Sequence, residues 1–259
     1  MKAYNNNYYP TPVEDEQPEG FTLNWPPLAL LALLMLTGYI KDWTFIAFLT
    51  IVVIIHELGH VVMGTRFGCR IKEMQVFFFA FLSYKPHEEA GGCWWRKIKW
   101  SLGVLPWGGF TIFDTFPVAD EDAENENQTR PIDPASPYLN DKPAWQRLLI
   151  SAGGVLFNLA TFLVFYFLVL VIPADTWYTF CRPIAFLSMM LALLNLLPIY
   201  PLDGGAILFA LYEILTGHRP APGFVKVCGI IGGVIVVLLF WVFPQVLSGF
   251  VQNVLGTIF

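Results

Sequence analysis

Three long uncharged segments constrain the fold of this chain more than any other feature. They occupy residues 148–172, 183–202 and 227–251. A helix needs about 20 residues to cross the roughly 30 Å hydrocarbon core of a bilayer, and each segment is long enough to do so. Charged residues make up only 14% of the chain, against about 25% in soluble globular proteins. The sequence therefore predicts an integral-membrane protein.

Charge and cysteine content indicate neither a nucleic-acid partner nor a disulfide framework. The formal net charge is -5, and no basic cluster indicates a nucleic-acid partner. The four cysteines are scattered without a Cys-x-x-Cys pair. We interpret them as free thiols rather than as a disulfide framework or a zinc knuckle.

Composition divides the chain into segments with different expected roles. They are 1–20, a polar tail; 21–42, a short N-terminal membrane helix; 43–68, a core helix with a His-Glu-x-x-His motif; 69–113, a membrane-associated β-region; 114–142, an acidic Pro-rich loop; 143–173, a second core helix; 183–217, a third core helix with a Leu-Asp-Gly-Gly motif; and 224–250, a C-terminal transmembrane helix.

The expected fold class is an all-α polytopic membrane protein with four or five transmembrane helices. The number depends on the first helix, whose dense apolar part (28–40) would be about 20 Å long, which is short for a full crossing. Residues 76–84 are aromatic and β-branched, and a turn and a second aromatic stretch follow them. This pattern predicts a β-hairpin or short sheet at the membrane surface.

The distribution of basic residues predicts the orientation. Ten of the fifteen Lys and Arg residues lie between Arg66 and Arg147. Cytoplasmic loops carry an excess of Lys and Arg. We therefore expect residues 66–147, including the β-hairpin region, to be cytoplasmic and the C-terminus to be extracytoplasmic.

The segment His56-Glu57-Leu58-Gly59-His60 carries the clearest chemistry. On a helix, positions i and i+4 share one face, so both imidazoles can bind one zinc ion, and the adjacent Glu can act as general base. Ionisable side chains in an apolar helix cost about 2.5–3.5 kcal/mol each on insertion scales. A bound metal ion would compensate for that cost.

A catalytic zinc ion normally takes a third protein ligand. Asp203 is the first candidate, because it follows a stretch broken by Pro198 and Pro201 and precedes two glycines. Irregular backbone at membrane depth is tolerated only where protein or a wet cavity surrounds it. Glu213 is a weaker rival, and a helix cap is the alternative role for Asp203.

Asn158 is a polar residue inside the second core helix. It could form a hydrogen bond between helices. It could equally donate to a substrate carbonyl or to the oxyanion that forms from it.

Taken in order, these motifs resemble the site-2 protease family of intramembrane metalloproteases. The resemblance covers about residues 43–245. It rests on His56-Glu57-Leu58-Gly59-His60, Pro106-Trp107-Gly108-Gly109-Phe110, Lys142-Pro143-Ala144-Trp145-Gln146-Arg147, Ala152-Gly153-Gly154-Val155-Leu156-Phe157-Asn158, and the segment from Asn195 to Gly205.

The resemblance implies one Zn²⁺ ion per chain, held by His56, His60 and Asp203. It implies Glu57 as the general base and Asn158 as a substrate-contacting residue. The implied substrate is a single-span membrane protein cut within its transmembrane segment, in a lipid bilayer that we take to be a bacterial plasma membrane. The Gly108-Gly109 stretch is expected to offer a strand edge to the unwound substrate.

The sequence departs from the family pattern at three places. Gly154 stands where the pattern usually has Pro, and Ala206 stands where it often has His. Many bacterial members insert a peptide-binding domain between the second and third core helices, whereas only about ten residues, near 173–182, are expected to connect them here. The resemblance thus implies a compact member.

Three other functions remain open on the sequence. A membrane scaffold would bind clients without cutting them, but an intact Glu57 favours an enzyme. A membrane zinc protease could instead cut soluble or loop substrates, usually with Glu as third ligand. A metal transporter would be expected to carry several ionisable groups along several spans, and the sequence has one such cluster.

Overall fold

A computed structural model of the chain describes residues 19–36, 43–86, 98–114, 132–171 and 175–255. The elements in chain order are β1 (Gly20–Leu23), α1 (Trp25–Leu36), α2 (Trp43–Arg66), β2 (Ile71–Lys85), β3 (Lys99–Phe113), α3 (Ala144–Val171), α4 (Asp175–Asn195), α5 (Asp203–Thr216) and α6 (Pro222–Leu255). Most of the expected polar tail, the turn after β2 and most of the acidic loop lie outside the described residues.

Helices dominate the described part of the chain, and three of them are long and apolar enough to cross a membrane. These are α2, α3 and α6, over Trp43–Arg66, Ala144–Leu168 and Pro222–Leu239. Two shorter apolar helices, Trp25–Leu36 and Thr179–Asn195, accompany them. The structure is thus mostly helical, and a total of four or five spans stays a prediction.

The sheet has three antiparallel strands in the order β1-β2-β3. The sequence predicted a β-hairpin or short sheet in the region of β2 and β3. It did not predict β1, because Gly20–Leu23 is too short to show the alternating pattern of a strand. It pairs with the end of β2, from Gly20 opposite Lys85 to Leu23 opposite Leu82. The edge of β2 that it covers would otherwise expose unpaired backbone groups.

The sheet packs on one face of α2. Val53 and Val61 of that helix are almost fully buried against the apolar side chains of β2. The core they form with the strands comprises Val53, Val61, Ile71, Met74, Val76, Phe77 and Ile98. This packing holds the sheet beside the helix turn that carries the His-Glu-x-x-His motif.

Lys142 fastens the end of α2 to the start of α3. Its side chain is fully buried, and Nζ donates hydrogen bonds to the carbonyl oxygens of Phe67 (2.6 Å) and Pro134 (2.7 Å). A lysine at the carboxyl end of a helix satisfies carbonyl groups that have no partner within the helix. Pro143 then precedes α3, where its missing N–H costs nothing.

Helix α4 begins earlier than the sequence indicated. The expected helix started at residue 183, yet α4 begins at Asp175 and contains Pro183. Arg182 lies just before the uncharged segment 183–202, which is why the helix was expected to start there. One charged residue does not interrupt a helix, and helix boundaries do not follow hydrophobicity. The expected connection near 173–182 is therefore mostly helical.

Candidate metal centre

Two buried imidazoles face each other on α2. His56 and His60 are only 5% and 8% exposed, and their Nε2 atoms are 3.3 Å apart. The helix produces this arrangement, because residues four apart lie one above the other on the same face. The two rings therefore present two nitrogen ligands to one point.

Asp203 completes the group from the start of α5. Its Oδ2 lies 3.1 Å from Nε2 of His56, and its Oδ1 lies 3.3 Å from Nε2 of His60. Oδ2 is buried without a hydrogen-bond partner among the described residues. The carboxylate thus presents one oxygen to each imidazole.

The donor set fits a zinc ion. Four ligands placed tetrahedrally at about 2.0–2.1 Å from zinc lie about 3.3 Å apart, which matches the separations of 3.1 and 3.3 Å among these three side chains. Gly154 leaves room beside them, since a Cβ there would lie 2.5 Å from Nε2 of His60 and 2.6 Å from Nε2 of His56. The three residues can therefore hold one metal ion.

Helix α3 orients both imidazoles from behind. Nδ1 of His60 donates a hydrogen bond to the carbonyl oxygen of Ile150 at 2.9 Å. Nδ1 of His56 lies 3.1 Å from Nδ2 of Asn158, which is fully buried. Groups that bond the far nitrogen of a histidine decide which nitrogen is free to bind a metal.

Glu57 lies beside the three potential ligands and is buried to 2% exposure. Oγ1 of Thr111, on β3, donates a hydrogen bond of 2.8 Å to Oε2 of Glu57. Gly109, on the same strand, also lies directly against Glu57. A Cβ at that position would be only 2.9 Å from Oε1 of Glu57. The strand thus fixes the carboxyl group next to the potential metal position.

A largely apolar cavity of about 590 Å³ opens onto these groups. Gly108 and Gly109 line it from the sheet, and Asn195 lines it from α4. The described residues that line the cavity do not include Asn158. The substrate-binding roles assigned to Gly108, Gly109 and Asn158 stay predictions.

The rival third ligand is engaged elsewhere. Glu213 is buried and forms ion pairs with Arg147 and Arg219, the latter at 3.3 Å. It is not a member of the potential metal-binding group. Its role in this structure is to join α5 to the start of α3.

Sequence reasoning assigned no role to two residues that the structure brings to the site. Thr111 gave no signal in the sequence, because a threonine in a strand is ordinary. Asn195 did give a signal in the sequence, because it is a polar amide within an uncharged segment, as Asn158 is. Nδ2 of Asn195 donates to the carbonyl oxygen of Leu191 at 3.1 Å.

Comparison with protein families gives a match over most of the chain. The model described as Peptidase family M50 matches residues 44–177 and 172–239. These ranges include all three potential metal ligands, Glu57 and the sheet residues beside it.

Individual relatives match over shorter stretches. A protein of Rickettsia conorii, provisionally named a zinc metalloprotease, is 48% identical over 56 residues, which are 22% of this chain and 16% of that protein. Metalloprotease MmpA of Caulobacter vibrioides is 28% identical over 137 residues, covering 48% of this chain and 31% of that protein. The matched parts are therefore less than a third of these relatives' lengths.

One solved structure is similar over a larger share of the chain. It is the site-2 protease from Methanocaldococcus jannaschii, with 20% sequence identity and a TM-score of 0.47. The similarity covers 86% of this chain and 78% of that one.

Proposed function

The chain belongs to peptidase family M50, and on that premise we propose that it is a zinc-dependent endopeptidase that cleaves transmembrane segments of single-span membrane proteins. One observation carries the proposal. His56, His60 and Asp203 converge beside Glu57, at a cavity among helices apolar enough to cross a membrane. A hydrolytic site at that depth is suited to substrates that are themselves in the bilayer.

His56, His60 and Asp203 would hold one zinc ion. When bound, zinc supplies Lewis-acid polarisation of the scissile carbonyl and makes a water molecule more acidic. The protein contributes two imidazoles fixed by α3 and one carboxylate fixed by the start of α5.

Glu57 acts as the general base. One oxygen of its carboxylate accepts a proton from the attacking water, and the same oxygen later delivers the proton to the leaving nitrogen of the cleaved peptide bond. The hydrogen bond from Thr111 to Oε2 leaves Oε1 for this transfer. Burial of the carboxyl group keeps bulk water from competing for the proton.

The sheet offers a docking edge for the unwound substrate. On β3, Gly109 pairs with Val76, and Phe110 pairs with Gln75. The same β3 residues line the cavity. An extended substrate that pairs with their outward backbone groups would present its peptide bond to the site by strand addition.

Helix α6 provides the route of entry from the bilayer. Val236, Val237 and Leu239 of this helix line the cavity. Only 6% of the apolar 18-residue stretch of α6 is buried, whereas 44% of the corresponding stretch of α2 is buried. A helix with so little buried surface can separate from the rest at small cost, and a substrate helix can then reach the cavity laterally.

The site lies near one end of α2. His60 is six residues, or about 9 Å, from Arg66 at the basic end of that helix. We propose that this end, and the segment 66–147 with it, faces the cytoplasm of a bacterial plasma membrane, and that the C-terminus lies outside. Water then has a short path to the zinc ion.

The proposal is tested with protein purified in detergent. Bound zinc is measured first. The protein and its Glu57→Gln variant are then incubated with a panel of single-span membrane proteins. Soluble peptides that carry the loop sequences flanking those spans are tested in parallel. We expect one zinc ion per chain in both proteins, and cleavage within the span that falls by about 10²–10⁴-fold in the variant.

Other outcomes point to the other functions. Zinc in both proteins with cleavage of the soluble peptides alone would identify a membrane protease for loop substrates. Zinc without cleavage of any substrate would favour the scaffold. Absence of bound zinc would overturn the proposal.

A further inference from the structure

Each imidazole of the metal centre has a partner on α3 at its far nitrogen, Nδ1. Ile150 offers a carbonyl oxygen, which only accepts, so the hydrogen of the neutral His60 ring is on Nδ1. Nε2 of His60 is then an acceptor. Its lone pair is thus available to a metal ion, and Nε2 of His56, 3.3 Å away, must offer one as well if both rings are to bind the same ion.

The partner of the far nitrogen of His56 is Asn158, whose side-chain amide lies 3.1 Å from Nδ1. If the amide donated to Nδ1 through its nitrogen, Nδ1 would hold the lone pair and the ring hydrogen would be on Nε2. Nε2 of His56 would then have no lone pair to give to a metal ion.

Coordination of a metal ion by both imidazoles requires the other tautomer of His56. Its hydrogen must move to Nδ1, and Nδ1 then needs an acceptor. Asn158 can supply that acceptor. A rotation of its side-chain amide by 180° exchanges the nitrogen and the oxygen, so that Oδ1 faces Nδ1 of His56. Oδ1 of Asn158 is buried without a hydrogen-bond partner among the described residues, so no described contact is lost when it turns.

Asn158 is also placed for this role and not for contact with a substrate. It is fully buried, it contacts Nδ1 of His56, and it is not among the described residues that line the cavity. A substrate in the cavity would meet His56 first.

We propose that Asn158 is the positioning residue of His56. By turning its amide oxygen to Nδ1, it holds the hydrogen there and frees the Nε2 lone pair for the metal ion. The inference rests on the proposed function, in that it takes His56 as a metal ligand. It replaces the substrate contact with an action through the metal site, so the affinity for zinc should respond before any kinetic constant for substrate does.

The test compares three variants by zinc affinity, measured by competition with a chromophoric chelator in detergent. Asn158→Leu has a similar size and no acceptor. Asn158→Asp keeps an acceptor oxygen. Thr161→Val, on the same helix, removes a hydroxyl that donates to the Phe157 carbonyl of its own helix, and serves as the matched control.

We expect the zinc dissociation constant to rise about 10–100-fold in Asn158→Leu, as is usual when an outer partner of a metal-binding histidine is lost. Asn158→Asp and Thr161→Val should stay close to the parent. Cobalt substitution gives a second readout, since a displaced His56 changes the visible spectrum of the bound Co²⁺. If Asn158→Leu does not fold, Asn158→Ala carries the same expectation.

The results separate the two proposals. Equal zinc affinity in the parent and Asn158→Leu, with an unchanged cobalt spectrum, would overturn the positioning role while leaving the protease proposal intact. A rise confined to the KM of Asn158→Leu would return Asn158 to the substrate. A parent protein that binds no zinc would overturn both proposals.

Discussion

Thr111 donates a hydrogen bond of 2.8 Å to Oε2 of Glu57, across 54 residues of sequence. The bond joins the edge strand of the sheet to the proposed general base. It also places the strand that would receive a substrate in direct contact with the group that would act on it. Docking and catalysis therefore share one structural support.

We predict that Thr111→Val lowers the rate of cleavage by about 10- to 150-fold, the range expected when a hydrogen bond to a charged group worth about 1.5–3 kcal/mol is lost. Valine has the shape of threonine without the donor, so zinc content should not change. Thr111→Ser, which keeps the hydroxyl, should recover most of the activity. The measurement is kcat and KM on one span substrate, and an effect confined to KM would contradict a role through Glu57.

Gly109→Ala should also reduce cleavage while leaving zinc bound. The new Cβ would lie 2.9 Å from Oε1 of Glu57 and 2.6 Å from the carbonyl oxygen of Gln75, so the carboxyl group or the strand must shift. Gly223→Ala is the matched control, because a Cβ there meets nothing within 4 Å. Equal activity of the two variants would mean that the strand tolerates the change and that its close approach to Glu57 is dispensable.

Asp203→Asn is expected to weaken zinc binding by more than the roughly 10–100-fold that follows loss of an outer partner. The substitution removes the negative charge of a direct ligand and keeps its size. Asp175→Asn, at an exposed acid in the first turn of α4, is the control and should bind zinc as the parent does. Zinc content after dialysis against a chelator decides the matter, and full retention by Asp203→Asn would exclude Asp203 as a ligand.

Glu213→Gln should show the opposite pattern. Glu213 is buried between Arg147 and Arg219, and loss of its charge should destabilise the fold by about 1–3 kcal/mol, with the lower values favoured by the solvent that both arginines contact. Zinc should stay bound at room temperature. Thermal unfolding in detergent measures the first effect, and loss of zinc without loss of stability would restore Glu213 as a rival ligand.

Much of the site could be predicted because it depends on local geometry. His56 and His60 share a helix face wherever the helix lies, so their spacing alone indicates a metal site. Asp203 was found because an acid is rare in an apolar segment. The membrane class follows equally from segment length. Two of the three uncharged segments, 148–172 and 227–251, fall mostly in helices long enough to span, whereas 183–202 is broken after Asn195 and α2 is the third helix of that length.

The features that were not predicted depend on backbone hydrogen bonding rather than on hydrophobicity. The strand β1 exists because the edge of β2 is available to it, and its own four residues do not indicate a strand. The helix α4 extends through Arg182 and Pro183 because helix boundaries follow backbone hydrogen bonds and not hydrophobicity.

The amino-acid sequence by itself determined the apolar segments, the pair of imidazoles and the rare acid that joins them. Only the tertiary structure decided which groups hold these side chains in place. Asn158 meets His56 across 102 residues, and Thr111 meets Glu57 across 54. Such contacts arise when α3 and the sheet pack against α2, and no periodicity within a single segment can encode which side chain of another segment will face it.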